Sequence, residues 1–181
     1  MSTVHRIALA DDQALVRSGL KALLSNFPQL AVVLEAGDGQ ALLDALAASP
    51  VDVVLSDIRM PGLDGFGLVR ALRERGDATP VVLLTTFDDP ALPLRAAEAG
   101  AQGFLLKDAA PDDLREAILR VARGETLLQP VSTDAVRARY PDFPEAELLG
   151  CSVAIDGEIV NRPWLEPIGT DSEVIFVARI G

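Results

Sequence analysis

The chain has 181 residues, with 27 acidic side chains against 16 basic ones and a net charge of −11. This excess of acid argues against non-specific binding to nucleic acid or an anionic membrane, and no apolar run approaches the roughly 20 residues of a membrane span, so we expect a cytoplasmic protein. A single Cys and a single His exclude a disulfide framework, a Cys-rich metal site and a His cluster.

Five short apolar runs alternate with five amphipathic stretches through the first two thirds of the chain. The runs are rich in Val, Ile and Leu and mostly lack polar alternation, which is typical of strands buried on both faces. Because βα repeats join parallel strands through right-handed crossovers, we expect an α/β fold: a doubly wound, five-stranded parallel sheet of the flavodoxin-like kind. The predicted strands are 6–10, 31–35, 51–56, 80–85 and 102–106, and the predicted helices are 15–26, 39–48, 64–75, 90–99 and 111–123.

The pattern changes after Gly124, so we predict a domain over 1–124, a linker over 125–134 and a small β-rich C-terminal extension over 135–181. In the extension, CSVAIDGEIV (151–160) predicts a hairpin that turns at Asp-Gly, and EVIFVARI (173–180) predicts a further strand. Two or three strands can hardly bury a core alone. We therefore expect the extension to pack on the rest of the chain or to pair in a homodimer.

Polar residues follow the predicted strands at the edge where a doubly wound sheet places its functional groups. They are Asp11 and Asp12 after the first strand, Asp57 after the third, Thr85 at the end of the fourth and Lys107 after the fifth. Three carboxylates that share a site repel one another unless a cation lies among them, and Mg²⁺ suits such oxygen ligands. Each Asp alone could merely cap the next helix. Together with a hydroxyl and an ammonium, they are the groups that phosphoryl transfer uses for positioning and charge neutralisation.

Four segments carry a family resemblance: ADDQALVRSGL (10–20), DVVLSDIRMPGLDG (52–65), VVLLTTF (81–87) and GAQGFLLKDA (100–109). Through them, residues 4–124 resemble the receiver domain of bacterial two-component response regulators, most of all the NarL/FixJ type. The resemblance implies a partner, a sensor histidine kinase, whose phosphohistidine gives up its phosphoryl group in a Mg²⁺-dependent reaction. It also implies a protein that switches its contacts with other proteins and turns over no external substrate.

The resemblance assigns the acceptor and the metal ligands. Asp57 would be the phosphoacceptor and a ligand of Mg²⁺, Asp12 the principal ligand, and Asp11 a ligand through water. The backbone carbonyl of Arg59 would complete the set. On the residues alone, the Pro61-Gly62 turn predicts that Asp57 lies exposed in a loop at the strand end.

The resemblance also assigns the groups that respond to phosphorylation. Thr85 and Lys107 would bind phosphoryl oxygens, and Thr85 with Phe104 would form the switch, in which the Phe104 rotamer follows the state of Thr85. Phe104 could equally be an ordinary core aromatic. Asp108 stands where the family often has proline, which leaves open whether the Lys107–Asp108 peptide is cis.

Three other functions compete with this interpretation. A phosphatase of the haloacid dehalogenase type also phosphorylates an Asp, but it needs a second acid two residues further on, where this chain has Arg59. A receiver could serve as a scaffold for a constitutive partner-binding tail, since the extension weakly resembles the second half of ubiquitin-like sulfur carriers of the MoaD/ThiS type. A NarL-type regulator could also have lost or replaced its DNA-binding domain. Residues 135–181 hold four Arg against eight Asp or Glu, so we expect no nucleic-acid contact from this chain.

Overall fold

The computed structural model describes residues 3–87, 89 and 91–128, together with the backbone of three strands further along the chain. In the first of these parts, five strands alternate with five helices. The strands are β1 His5–Ala10, β2 Leu30–Ala36, β3 Val53–Asp57, β4 Val81–Thr85 and β5 Gly103–Leu106. The helices are α1 Ala14–Leu24, α2 Gly39–Ala48, α3 Gly65–Glu74, α4 Ala91–Ala99 and α5 Pro111–Ala122.

All four strand pairings are parallel, and the order across the sheet is β2-β1-β3-β4-β5. The order reverses direction between β1 and β3, because β2 lies on one side of β1 while every later strand lies on the other. The predicted doubly wound sheet is therefore confirmed, with strand and helix ends shifted by one or two residues. Within the described residues, no helix is both long and apolar enough to cross a membrane.

The core has two halves, one on each face of the sheet. Successive strand residues point to opposite faces. In β1, Ile7 and Leu9 pack with residues of α1 and α5, whereas Ala8 and Ala10 pack with residues of α2, α3 and α4. Because helices cover both faces, both sets are fully buried, which explains why the strands read as unbroken apolar runs.

A close approach between β3 and α3 shapes the loop that follows the sheet's central strand. The chain turns at Gly62, whose φ of 73° is a left-handed conformation that favours glycine. The Gly65 N–H then donates to the carbonyl of Ile58 at 2.9 Å. A Cβ at Gly65 would lie 2.4 Å from the backbone oxygen of Asp57, so only glycine lets α3 begin this close to the strand end.

Packing continues past the end of α5. Gly124 ends the helix with a φ of 92°, and the chain returns to the edge of the sheet. There, the N–H groups of Leu127 and Leu128 donate to the carbonyl of Gln102 at 2.7 and 3.1 Å. Leu127 is buried in one half of the core and Leu128 in the other, so residues up to 128 pack with the sheet.

The extension contains a second sheet of three antiparallel strands, β6 Cys151–Ile155, β7 Glu158–Val160 and β8 Val174–Ala178, in the order β7-β6-β8. Ile155 pairs with Glu158, as a tight hairpin requires. The predicted Asp156-Gly157 turn, the end of the linker and the chain between β7 and β8 lie outside the described residues. The boundaries of the linker and the extension remain predictions.

Candidate functional site

Three carboxylates meet at the carboxyl edge of the sheet. Asp11 directly follows β1, Asp12 is next to it, and Asp57 is the last residue of β3, the neighbour of β1. Each offers a carboxylate oxygen, and these three oxygens lie within 4.8 Å of one another. Asp11 is fully buried and Asp12 is exposed. The predicted convergence of these residues is therefore present in the structure.

Asp57 differs from the sequence-based expectation in one respect. The turn after it was expected to leave it exposed in a loop, whereas it belongs to β3 and is 6% exposed. The expectation was wrong because Asp57 is the last residue of a strand that is buried along its whole length, and the nearly buried ammonium of Lys107 lies 3.0 Å from its carboxylate.

Lys107 lies between two of the carboxylates. Its Nζ is 2.6 Å from Oδ2 of Asp11 and 3.0 Å from Oδ2 of Asp57, and all three side chains are almost fully buried. Its backbone N–H donates to the carbonyl of Thr85 at 2.7 Å, which fixes the start of the β5–α5 loop against β4. No peptide bond among the described residues is cis, so Lys107 and Asp108 are joined by a trans peptide.

Burial and charge shift the ionisation of this cluster. Burial raises the pKa of Asp57, and Asp11 adds to the rise, while the hydrogen bond and the charge of Lys107 lower it without cancelling the shift. Burial acts to lower the pKa of Lys107, but its hydrogen bonds and ion pairs with Asp11 and Asp57 outweigh burial and raise it. Lys107 therefore stays an ammonium, and three carboxylates share one positive charge.

That balance of charge fits a divalent cation. One ammonium among three carboxylates leaves the cluster with an excess of negative charge, which is costly where two of the carboxylates are buried. Oxygen donors this close together are the ligands that a hard ion such as Mg²⁺ takes. The residues present thus fit the ion predicted from the sequence.

Thr85 and Phe104, the predicted switch, lie in neighbouring strands. Thr85 ends β4, is 1% exposed, and its Oγ1 accepts a hydrogen bond from the Phe87 N–H at 3.2 Å. Its hydroxyl hydrogen can still be donated to another acceptor. Phe104 lies on β5 opposite Leu83 and is buried among residues of α3 and α4. The ring therefore occupies an inward position in this structure.

The sequence reading missed a contact between two side chains near the acceptor. The carbon at the centre of the Arg59 guanidinium lies 3.8 Å from the centroid of the Phe87 ring. The sequence predicts a role only for the backbone carbonyl of Arg59, whose side chain stands where the phosphatase family has an acid, and it predicts no role for Phe87. The available signal was position, because each residue stands two places after a site residue, Asp57 and Thr85.

Comparison with known proteins gives consistent matches. Residues 7–119 match the family model described as the response regulator receiver domain. The chain is 37% identical over 159 residues to the probable transcriptional regulatory protein NarL of Mycobacterium tuberculosis, spanning 87% of this chain and 72% of that one. It is 35% identical to the nitrate/nitrite response regulator protein NarP of Escherichia coli, spanning 76% of this chain and 64% of that one.

A solved structure agrees with these matches. The signal receiver domain of the putative response regulator NarL from Mycobacterium tuberculosis superposes with a TM-score of 0.65 and 39% identity. The match covers 68% of this chain and 99% of that one. Together, the matches do not favour the alternative of a regulator whose DNA-binding domain was lost.

Proposed function

Because the chain belongs to the response regulator receiver domain family of two-component systems, we propose that Asp57 is the residue on which it accepts a phosphoryl group from a sensor histidine kinase. The observation that carries this proposal is the setting of Asp57. It ends the central strand, its carboxylate is 3.0 Å from Nζ of Lys107, and two further carboxylates lie within 4.8 Å.

The transfer is a displacement at phosphorus. A carboxylate oxygen of Asp57 forms a new bond to phosphorus, the bond between phosphorus and the donor's imidazole nitrogen breaks, and the donor keeps that electron pair. Such a reaction depends almost entirely on positioning and charge neutralisation. Lys107 neutralises charge on the phosphoryl oxygens, and the Thr85 hydroxyl donates a hydrogen bond to one of them.

Lys107 can meet the phosphoryl group without a large movement. Its Nζ already bonds to Asp57 and is held on the other side by Asp11 at 2.6 Å. Once Asp57 is an acyl phosphate, the carboxylate charge is gone and the phosphoryl oxygens offer the ammonium a stronger partner. Asp11 thus acts as the anchor that keeps the ammonium at the strand ends throughout the reaction.

The metal ligands would be Asp12, Asp57 and the backbone carbonyl of Arg59, with Asp11 acting through water. When bound, Mg²⁺ would supply charge neutralisation for the phosphoryl oxygens. Residues 10–12 and 57–59 follow neighbouring strands, so the sheet itself holds these donors together.

Signalling would follow from the same contacts. Thr85, drawn to a phosphoryl oxygen, would change the space beside β5 and shift Phe104 between two packings, a population shift that alters the surface around α4 and α5. We expect the protein to act in the cytoplasm, as a homodimer, through contacts with other proteins. The receiver would span residues 1–124, and it would perform no turnover beyond the gain and loss of one phosphoryl group.

Intact mass measurement tests the proposal. Full-length protein incubated with acetyl phosphate and Mg²⁺ should gain one phosphoryl group, and hydroxylamine should release it, because acyl phosphates are labile to that nucleophile. Asp57→Asn should gain none. Asp44→Asn, which changes an exposed residue on α2, should be labelled like the wild type. Equal labelling of Asp57→Asn and wild type would show that the acceptor lies elsewhere.

A further inference from the structure

Arg59 and Phe87 form a stack that joins the two loops beyond the acceptor pocket. Arg59 belongs to the loop after β3, and Phe87 to the loop after the adjacent strand β4. The guanidinium carbon lies over the ring, 3.8 Å from its centroid, which is van der Waals contact. We refer to this pair as the Arg59–Phe87 stack.

The two residues of the stack are more exposed than Asp57 and Thr85, the pocket residues that they follow in the sequence. Asp57 and Thr85 are 6% and 1% exposed, whereas Arg59 is exposed and Phe87 is 45% exposed. Because β3 and β4 are neighbours and parallel, both loops leave the sheet at the same edge. The stack therefore bridges the two loops on the solvent side of the pocket.

Both partners of the stack are linked to the pocket through their backbones. The Phe87 N–H donates to Oγ1 of Thr85 at 3.2 Å, and the backbone of Arg59 is close enough to the carboxylate of Asp57 to lower its pKa. A change in the position of Thr85 or Asp57 would therefore move one partner of the stack directly.

Stacking orients the guanidinium in a particular way. The group is planar and its five N–H donors lie in the plane, so a ring against its face leaves the edge free to donate. An exposed cation–π contact is weak, but it restricts a long side chain that would otherwise sample many rotamers. Phe87 therefore presents the edge of Arg59 in a restricted orientation.

The charge of the pocket indicates what the guanidinium edge of Arg59 would bind. Within the described pocket, one ammonium already faces two buried carboxylates, and a phosphoryl group on Asp57 would add further negative charge. An arginine edge is suited to phosphoryl oxygens, since it can donate two parallel hydrogen bonds.

We propose that Arg59, oriented by Phe87, is an additional ligand of the phosphoryl oxygens on Asp57, with Phe87 as its positioning residue. The proposal rests on the proposed function and deepens it. It assigns to this chain a second side-chain cation for the phosphoryl group, one delivered from the rim of the pocket while Lys107 acts from inside.

An equilibrium measurement tests this assignment. Beryllium trifluoride, an anion with the shape of a phosphoryl group, is titrated into full-length protein at saturating Mg²⁺, and binding is followed by ¹⁹F NMR. Arg59→Ala should weaken binding about tenfold, the lower end of what a charge-assisted hydrogen bond contributes. Arg59→Gln, which keeps the length of the stem, should weaken it in the same direction.

Phe87 is tested by coupling. Phe87→Ala should weaken binding, and the double variant should bind no more weakly than Arg59→Ala alone, because Phe87 acts through Arg59. Phe87→Trp should bind like the wild type, since it keeps a ring for the guanidinium. Arg115→Ala is the matched control: it removes a stack on Phe27, 5.4 Å from its centroid, and should leave the affinity unchanged.

Two results would overturn the inference. Binding by Arg59→Ala within twofold of the wild type would remove Arg59 from the site, and additive losses in the double variant would remove the positioning role of Phe87. The proposed function fails separately: it fails when the wild type binds beryllium trifluoride no better than Asp57→Asn. The inference alone fails when only Asp57→Asn loses binding.

Discussion

The two ends of the parallel sheet both hold partly or fully buried charged side chains, and they satisfy these charges differently. At the amino end, the guanidinium of Arg73 donates to the carbonyls of Gly100, Asp77 and Thr79 and to the side-chain oxygen of Gln102, at 2.7 to 3.2 Å. At the carboxyl end, three carboxylates share one ammonium. The amino end is a closed network, in which every N–H of the Arg73 guanidinium has an acceptor. The carboxyl end carries an excess of negative charge.

The closed network joins the end of α3 to the segments that precede β4 and β5. Arg73 belongs to the last turn of α3, while Gly100 and Gln102 precede β5 and Thr79 precedes β4. Gln102 also accepts from the N–H of the first residue of β4, at 2.9 Å. Burial lowers the pKa of Arg73, and nearby Asp77 opposes that shift. The guanidinium has more partners here than an exposed arginine finds.

The contrast separates stability from function along one sheet. A partly buried charge with all its hydrogen bonds made, such as Arg73, contributes to a single folded arrangement. A crowded set of like charges costs folding free energy until a ligand arrives, and such sites are retained where a ligand must bind. Substitutions at the two ends should therefore change stability with opposite signs.

The largest effect should come from breaking the closed network. Arg73→Ala leaves four carbonyl or amide oxygens without their donor and should lower the free energy of unfolding by about 3 kcal/mol. Arg70→Ala, an exposed residue on the same helix, should change it by less than about 0.5 kcal/mol. Urea denaturation measures both. Equal, small effects of the two variants would mean that the network adds little.

A smaller loss should follow from Asp77→Asn. Oδ1 of Asp77 accepts from the backbone N–H and the hydroxyl of Thr79 at 2.9 and 2.6 Å, and Oδ2 pairs with Arg75 at 3.1 Å. Burial alone would raise the pKa of Asp77, but these bonds outweigh it and lower the pKa. At pH 7, the substitution should lower the free energy of unfolding by about 1 kcal/mol.

The pH dependence of that loss has a definite sign. A carboxyl with a lowered folded-state pKa contributes its stability above its unfolded value and loses it as the pH falls through the folded one. The difference between wild type and Asp77→Asn should therefore be full at neutral pH and shrink below about pH 4. Urea denaturation at a series of pH values checks this. A difference that grows in acid would contradict it.

The two ends also differ in how far the sequence could predict them. Asp11 and Lys107 are 96 positions apart, yet their meeting was predictable, because each follows a strand and parallel strands share a carboxyl edge. Rules of topology bring such residues together without knowledge of any side-chain rotamer. The same rules predicted that Thr85 and Asp57 lie at this edge, and the structure adds that they end neighbouring strands.

The amino end offers no such rule. In the sequence, Arg73 is an ordinary polar residue of an amphipathic helix. No motif near it predicts that its guanidinium donates to a carbonyl 27 positions away. The Arg59–Phe87 stack is similar, since such a contact depends on rotamers rather than on strand order. Burial of Asp57 was also missed, because it depends on how side chains pack around the end of β3 rather than on strand order. In the extension, the apolar runs of 151–160 and 173–180 were local signals of this kind, and they predicted the strands β6, β7 and β8.

At the carboxyl end, the effect should be smaller and of the opposite sign. Burial and Asp11 raise the pKa of Asp57 despite Lys107, so at neutral pH the folded state holds a carboxylate in a setting that disfavours its charge. An acid of this kind costs stability as the pH rises above its unfolded value of about 4. Without divalent ions, Asp57→Asn should therefore raise the free energy of unfolding at pH 7, and the gain should vanish in acid.

Mg²⁺ should reduce the amount by which the free energy of unfolding of Asp57→Asn exceeds that of the wild type. An ion that binds only the folded state stabilises it more the more tightly it binds, and Asp57→Asn, with one carboxylate fewer, should be stabilised less than the wild type. Urea denaturation of both proteins with chelator and with Mg²⁺ measures the change. If the wild type were the more stable protein in chelator at pH 7, the carboxyl end would be as well satisfied as the amino end. In that case, the excess negative charge of the cluster would not be the reason that it binds a cation.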